Sequence, residues 1–135
     1  MANVRGQDGS ATVATNAIGE LRDWALDGVS IETMDDTVKG DKHRTFLGGV
    51  GDGGTARLTC WLDGADAGQS VVIGYFAAAT PQSAAVTVVL TASTGKTYTF
   101  SAVPITMSLG SPEGSALCPV TFTFKVSGAV TAAWA

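Results

Sequence analysis

From Cys118 to Ser127 the chain alternates without a break: Cys118, Val120, Phe122, Phe124 and Val126 are apolar, and Thr121, Thr123, Lys125 and Ser127 intervene. A period of two puts one set on each face of a strand, so this segment buries one side and leaves the other polar. Ala56, Leu58, Cys60 and Leu62 repeat the pattern with Arg57, Thr59 and Trp61 opposite, as do Val86, Val88 and Leu90. Tyr98, Phe100 and Ala102 alternate up to Pro104, after which Ile105, Met107 and Leu109 continue on the other parity. Proline lacks a donor N–H and sits at edges or bulges, so the strand is expected to kink or change sheet there. Ser93-Thr94-Gly95 reads as the preceding hairpin turn. Nearer the N-terminus, Ala11 to Asn16 and Glu20 to Leu26 are predicted strands, with Val29 to Glu32 a short continuation. The chain is mainly β.

One segment departs from this pattern. Asp66-Ala67-Gly68-Gln69 has the form of a capping box, with Asp66 available to the N3 amide and Gln69 reaching back. Val72, Phe76 and Ala79 follow at helical spacing and Pro81 ends the run, which predicts a helix over 67–79. A strand is the competing reading, because Val71, Val72, Ile73, Tyr75 and Phe76 favour sheets and Gly74 weakens a helix by about 1 kcal/mol.

At 135 residues the chain is expected to form a single domain, with residues 1–9 as an N-terminal arm. Glu32 to Gly54 shows no sustained periodicity and is longer than most structureless loops, so it reads as a long functional loop with Phe46 and Leu47 as apolar anchors. Charge is concentrated there, in Glu32, Asp35, Asp36, Lys39, Asp41, Lys42 and Arg44, whereas Ala67 to Ala135 carries only Lys96, Glu113 and Lys125. So neutral a half suggests a surface covered by partner subunits. A net charge of −4 disfavours a binder that neutralises many phosphates. The start lacks the apolar stretch of a secretory signal, and the longest apolar run, Val71 to Ala79, is about half of a membrane span.

Catalytic chemistry has little to build on. Gly49-Val50-Gly51-Asp52-Gly53-Gly54 satisfies GxGxxG, but a loop precedes it and a strand follows, so it reads as a flexible hairpin connection. His43 is the single histidine, which rules out a cage of several imidazoles. Cys60 and Cys118 fall on apolar parity and are expected to be buried free thiols rather than nucleophiles. Asp35, Asp36 and Asp41 lack the spacing of a calcium loop. No catalytic, cofactor or metal residues are predicted.

The order of several short motifs carries more. Gly19-Glu20-Leu21-Arg22-Asp23-Trp24-Ala25-Leu26-Asp27, then Ile31-Glu32-Thr33, Gly40-Asp41 and Arg44-Thr45-Phe46, resemble the opening strand and long loop of the major tail proteins of long-tailed bacteriophages. Leu58-Thr59-Cys60-Trp61-Leu62-Asp63 and Asp66-Ala67-Gly68-Gln69 are similar to that family's strand leading into its helix, and Val120 to Val130 to its closing strand and glycine. The resemblance implies a β-sandwich or barrel-like tail tube fold with one flanking helix and a long loop. It further implies hexameric rings, their inner strands closed into a barrel, stacked into a tube that delivers DNA to the host. Tail terminator, baseplate and tape-measure proteins would be the partners, with assembly in the host cytoplasm and residence in the virion. Residues 32–54 would then form an inter-subunit or inter-ring loop, with Asp35, Asp36, Lys39, Asp41, Lys42, Arg44 and Phe46 at the contact. Arg22, Trp24, Thr121, Thr123 and Lys125 would be lumen or interface positions, and net negative charge would suit a wall that repels phosphate. The competing class is a monomeric β-sandwich binding or adhesion module using Trp24, Trp61 or Trp134 as a ligand platform.

Overall fold

A computed structural model describes residues 5, 9–77, 84–93, 95–111, 113–114 and 116–134. Most of the N-terminal arm, residues 78 and 79 of the expected helix, Pro81 and Thr94 lie outside the described residues. The strands are β1 (Ser10–Val13), β2 (Asn16–Ala17), β3 (Leu21–Asp27), β4 (Ser30–Asp35), β5 (Phe46–Asp52), β6 (Thr55–Trp61), β7 (Val86–Ser93), β8 (Lys96–Leu109) and β9 (Pro119–Trp134). The helix α1 (Ala67–Ala77) lies between β6 and β7.

Seven strands form one antiparallel sheet in the order β2-β1-β7-β8-β9-β6-β3, and β4 and β5 pair only with each other. The sheet folds over like a sandwich because β8 and β9 each serve both halves. Lys96 to Ala102 of β8 pairs with β7, whereas β6 pairs with Pro119 to Lys125 of β9. Two bulges turn the corner. One skips Ile105 between Pro104 and Thr106, and the other sets Thr99–Ser101 against Thr131–Ser127, where Gly128 has φ +93°. The fold-over brings β3, at one end of the order, into contact with β1 near the other.

The core is what the alternation predicts. Leu58, Val120, Phe122, Phe124, Val88 and Leu90 are fully buried, and the register pairs Leu58 with Phe122 and Cys60 with Val120. Leu62 and Cys118 depart from the expectation: Leu62 lies past the end of β6 and is 44% exposed, and Cys118 precedes β9 and is half-buried. The phase change at Pro104 is present, but Ile105 and Leu109 are exposed because this part of β8 is a sheet edge.

Several expectations for the N-terminal half are corrected. Ala11 to Asn16 is not one strand: β1 reverses through Ala14 (φ 49°) and Thr15 (φ 68°) into β2, a two-residue turn with both centres left-handed. Neither residue is a turn former, and a β-branched side chain at positive φ is strained. Thr15→Gly is therefore expected to stabilise the protein by about 1 kcal/mol, measured by thermal or urea unfolding. Val29 to Glu32 does not continue β3 but opens the separate β4–β5 hairpin. Residues 32–54 are accordingly not one loop: only 36–45 are irregular, connecting β4 to β5, and the glycine run lies in β5 and its turn into β6. β9 also runs on past Gly128 to Trp134.

Asp66 caps α1 as predicted, its Oδ2 accepting from the N–H of Gln69 (2.9 Å) and also from that of Gly19 (3.0 Å). The reciprocal half of the box is absent. Gln69 is buried and faces the sheet: its Oε1 accepts from Asp63 N–H (2.9 Å) while Nε2 donates to the carbonyls of Gly19 (2.9 Å) and Trp61 (2.8 Å). Gly68 is required beside it, because a Cβ there would collide with the Ala17 carbonyl. Val72 is buried, and Ile73, Tyr75 and Phe76 pack against the core.

Candidate assembly surfaces

The β4–β5 hairpin holds all the loop residues singled out from the sequence. Asp35 closes β4 opposite Phe46, and the N–H of Asp36 donates to Thr45 O (2.8 Å) as one more rung. The tip is shaped by its own acids: Asp35 accepts from Thr37 N–H (2.9 Å) and Asp41 from Val38 N–H (2.9 Å). The Thr37 bonds hold the Asp35 carboxyl below its ordinary pKa. Lys39, Lys42, His43 and Arg44 lie exposed on this tip. Every residue from Asp27 to Asp52 is exposed, including Ile31 at 69% and Phe46 at 57%. A two-stranded hairpin is marginal alone, so an arm with this many bare apolar side chains needs a surface to lie on.

The arm is mounted at one corner. Gly54 has φ +81° and a Cβ there would strike the Asp27 carbonyl, so only glycine passes this crossing. Asp52 accepts from Gly54 N–H (2.8 Å) and pairs with Lys125 Nζ (3.1 Å). The Gly54 bond first, and Lys125 second, depress the Asp52 pKa. A carboxylate with a depressed pKa contributes above its unfolded value and loses that contribution as pH falls through its folded one. Protease sensitivity of the hairpin is thus expected to rise only in acid below the usual carboxylate range, and Lys125→Gln to raise it at neutral pH.

The second surface is the half-sheet β3-β6-β9-β8, in which β8 contributes Pro104 to Leu109. Its two edges are open among the described residues: β3 pairs only with β6, and this part of β8 only with β9. Each neighbouring pair is antiparallel, so β3 and β8 run in opposite directions. Such an edge strand with no covering element is a template for another chain.

The outward face of this half-sheet separates the predicted strand residues. Thr121, Thr123 and Lys125 lie on it beside Thr59, Arg57 and Thr55, opposite the buried parity of β9. Arg22 sits in a β3 bulge between Leu21 and Asp23, with its guanidinium 4.3 Å from the Trp61 ring centroid. Trp24 does not belong with them: it pairs with Leu58 and turns inward, edge-to-face with Tyr98 at 6.1 Å. The bulge after Leu21 breaks the parity that would have put Arg22 and Trp24 on one side. Nor is the face acidic, since Arg22, Arg57 and Lys125 accompany Asp23 and Asp27. The net negative charge resides on the hairpin and on the end near α1. The three tryptophans are not gathered in one place: Arg22 covers Trp61, whereas Trp24 and Trp134 both pack edge-on against Tyr98, at 6.1 and 6.0 Å.

Both cysteines are free. Burial first, and the charge of Asp66 second, raise the Cys60 thiol to about 11. Cys60 is expected to resist a neutral-pH alkylating agent until the protein unfolds, with Cys118 labelling first, as peptide mass mapping can establish. Among the described residues no group of three His, Cys, Asp or Glu is placed to hold a metal, and no helix is long and apolar enough to cross a membrane.

The geometry has counterparts among solved structures. A chain of the sheath–tube complex of an extracellular contractile injection system, PVC, in its extended state superposes with a TM-score of 0.72 over 98% of this chain and 93% of that one, at 14% identity. A chain from the tail of an empty GTA particle gives 0.69 over 97% and 98%, at 16% identity. The anti-feeding prophage tube-terminating cap gives 0.73 over 100% and 93%, at 12% identity. The fold is therefore the mainly β, sandwich-like tail tube fold. No protein-family model and no curated protein matches the sequence.

Proposed function

We propose that this chain is a structural tail tube subunit whose copies join into hexameric rings that stack into a conduit for DNA. The observation that carries the reading is the pair of open, oppositely directed edges on one four-strand layer. Placing β3 of one copy beside the Pro104–Leu109 edge of the next continues the antiparallel alternation. It also satisfies both edges, and repeating it around an axis closes a barrel with no edge left. Thr121, Thr123, Lys125 and Arg57 then line the lumen, a threonine-rich wall of mixed charge rather than an acidic one. The hairpin, with Asp35, Asp36, Lys39, Asp41, Lys42, Arg44 and Phe46, reaches a neighbouring copy and is covered there. Terminator, baseplate and tape-measure proteins would meet the tube at its ends and in its lumen, in a particle assembled in the host cytoplasm. The role is architectural, not enzymatic.

The test is negative-stain imaging and sizing of the purified chain. Rings and tubes are expected, and Ile105→Lys, which puts a charge on an exposed edge position, is expected to leave a folded monomer. Arg44→Ala and Phe46→Ala should shorten tubes more than they lower monomer stability. Concentrated wild-type protein that stays near 13.7 kDa and fully folded favours the binding-module reading instead.

A further inference from the structure

Among the described residues an aspartate precedes a glycine at Asp27-Gly28, Asp52-Gly53 and Asp63-Gly64. Such a pair is where a polypeptide can rearrange unaided: glycine carries no Cβ, so its backbone nitrogen is open to the carboxyl carbon of the residue before it. What holds the carboxylate and the peptide decides whether that encounter happens. At Asp52, Oδ1 accepts from Gly54 N–H (2.8 Å) and from Lys125 Nζ (3.1 Å), and both keep the group ionised. At Asp63, Oδ1 accepts from Ala65 N–H (3.0 Å), while its own N–H and carbonyl are tied to Gln69 Oε1 (2.9 Å) and Asp66 N–H (3.2 Å). Asp27 differs from both. It is exposed, and among the described residues neither its carboxylate nor the N–H of Gly28 has a hydrogen-bond or ion-pair partner. Gly28 has left the strand, with φ +78°, and a Cβ on it would meet only the Gly54 Cα, at 3.8 Å.

We propose that Asp27 is a site of spontaneous isomerisation to isoaspartate in the folded chain. The Gly28 nitrogen attacks Asp27 Cγ and a C–N bond forms. The Gly28 proton and the hydroxyl of the protonated carboxyl leave as water, giving a cyclic imide. Water then adds at the main-chain carbonyl of the imide and breaks its bond to the Gly28 nitrogen, so the chain continues through the former side chain. One water leaves and one enters, with no oxidant, cofactor or enzyme. The product has one more methylene in its main chain and a free α-carboxylate. That methylene falls where there is no room, because Gly54 crosses so close that a Cβ on it would strike the Asp27 carbonyl. Isomerised Asp27 therefore loses its rung with Thr55, and the β4–β5 hairpin loses one of the two segments on which it is mounted. The rearrangement belongs to the single subunit and is independent of ring formation.

The experiment ages the purified full chain in warm neutral buffer, dilute enough to hold no rings, and maps isoaspartate residue by residue by peptide separation and fragmentation. A parallel sample is aged in urea. In buffer, isoaspartate is expected to accumulate at Asp27 while Asp52 and Asp63 stay at background; in urea, all three should accumulate at similar rates. Aged wild type should also lose its hairpin to protease faster than fresh protein, in proportion to the isomerised fraction. Asp27→Glu, whose longer side chain forms the imide far more slowly, should age without that gain. Folded chain in which Asp52 or Asp63 isomerises as fast as Asp27 overturns the proposal, as does folded chain in which Asp27 stays at background while the urea sample reacts. Should Asp27→Glu fail to fold, the wild-type comparison of buffer with urea decides alone. Isoaspartate at Asp27 with unchanged protease sensitivity overturns the link to the mounting of the hairpin.

Discussion

Phe122→Ala is expected to lower the free energy of unfolding by about 3–5 kcal/mol, the largest effect of any single truncation in this chain. Phe122 is a large, fully buried side chain near the start of β9, opposite Leu58 on β6 and Met107 on β8. It is paired on both sides, by β6 and by β8, so the space left by the ring cannot be closed by sliding one strand. The cost then contains both the lost transfer free energy and the cavity. Urea unfolding of the variant at ring-free concentration should show a lower midpoint with an unchanged slope. Thr123→Ala, one residue on and facing outward, should change stability by only a few tenths of a kcal/mol. Equal effects at the two positions would contradict the assignment of faces.

Gln69→Leu is expected to cost about 3 kcal/mol or more, although leucine is of similar size and more apolar. The amide makes three hydrogen bonds from a site only 1% exposed, and removing it leaves the carbonyls of Gly19 and Trp61 and the N–H of Asp63 with those bonds unmade. A buried polar group without its partner costs about 1–3 kcal/mol. Gln69→Glu separates the two halves of the network. A carboxylate still accepts from Asp63 but meets two carbonyl oxygens where Nε2 had donated, so it should be no better than leucine at neutral pH and recover partly in acid, where the group can donate. A Gln69→Leu protein within about 0.5 kcal/mol of wild type would show that the network does not tie α1 to the sheet. Because the same bonds fix the approach to β3 and the end of β6, the damage should extend to that end of the sheet.

The strands whose sides differ most were legible. In β9 and β6 each apolar residue of the alternating set inside the strand is in the core, as are Val88 and Leu90 of β7 with Val86 packed against it, and Asp66 caps the helix where the sequence placed it. Local patterns report local geometry, and these elements are held by the same side chains that define the pattern. The hairpin was not legible, because both of its strands are exposed on all sides and neither needs alternation. Gly48, Gly49 and Gly51 even argue against a strand, and only pairing with β4 makes β5 one. The β1–β2 turn carried no signal either, since Ala14 and Thr15 adopt left-handed conformations that their side chains disfavour.

Of the residues proposed for assembly, the charged cluster from Asp35 to Arg44 was recognisable from composition, and the structure gathers it on one hairpin. Its form and its mounting at Gly54 were not. Trp24 shows why: one extra residue in β3, at Arg22, reverses the face of everything after it, and a bulge exists only with respect to a partner strand. By itself the sequence determined which residues must be dry, where the helix begins and that the chain is mainly β, because burial and capping are written in residues a few positions apart. Only the tertiary structure decided which strand edges stay open and which face each bulged residue takes, because those depend on hydrogen bonds between segments far apart in the chain.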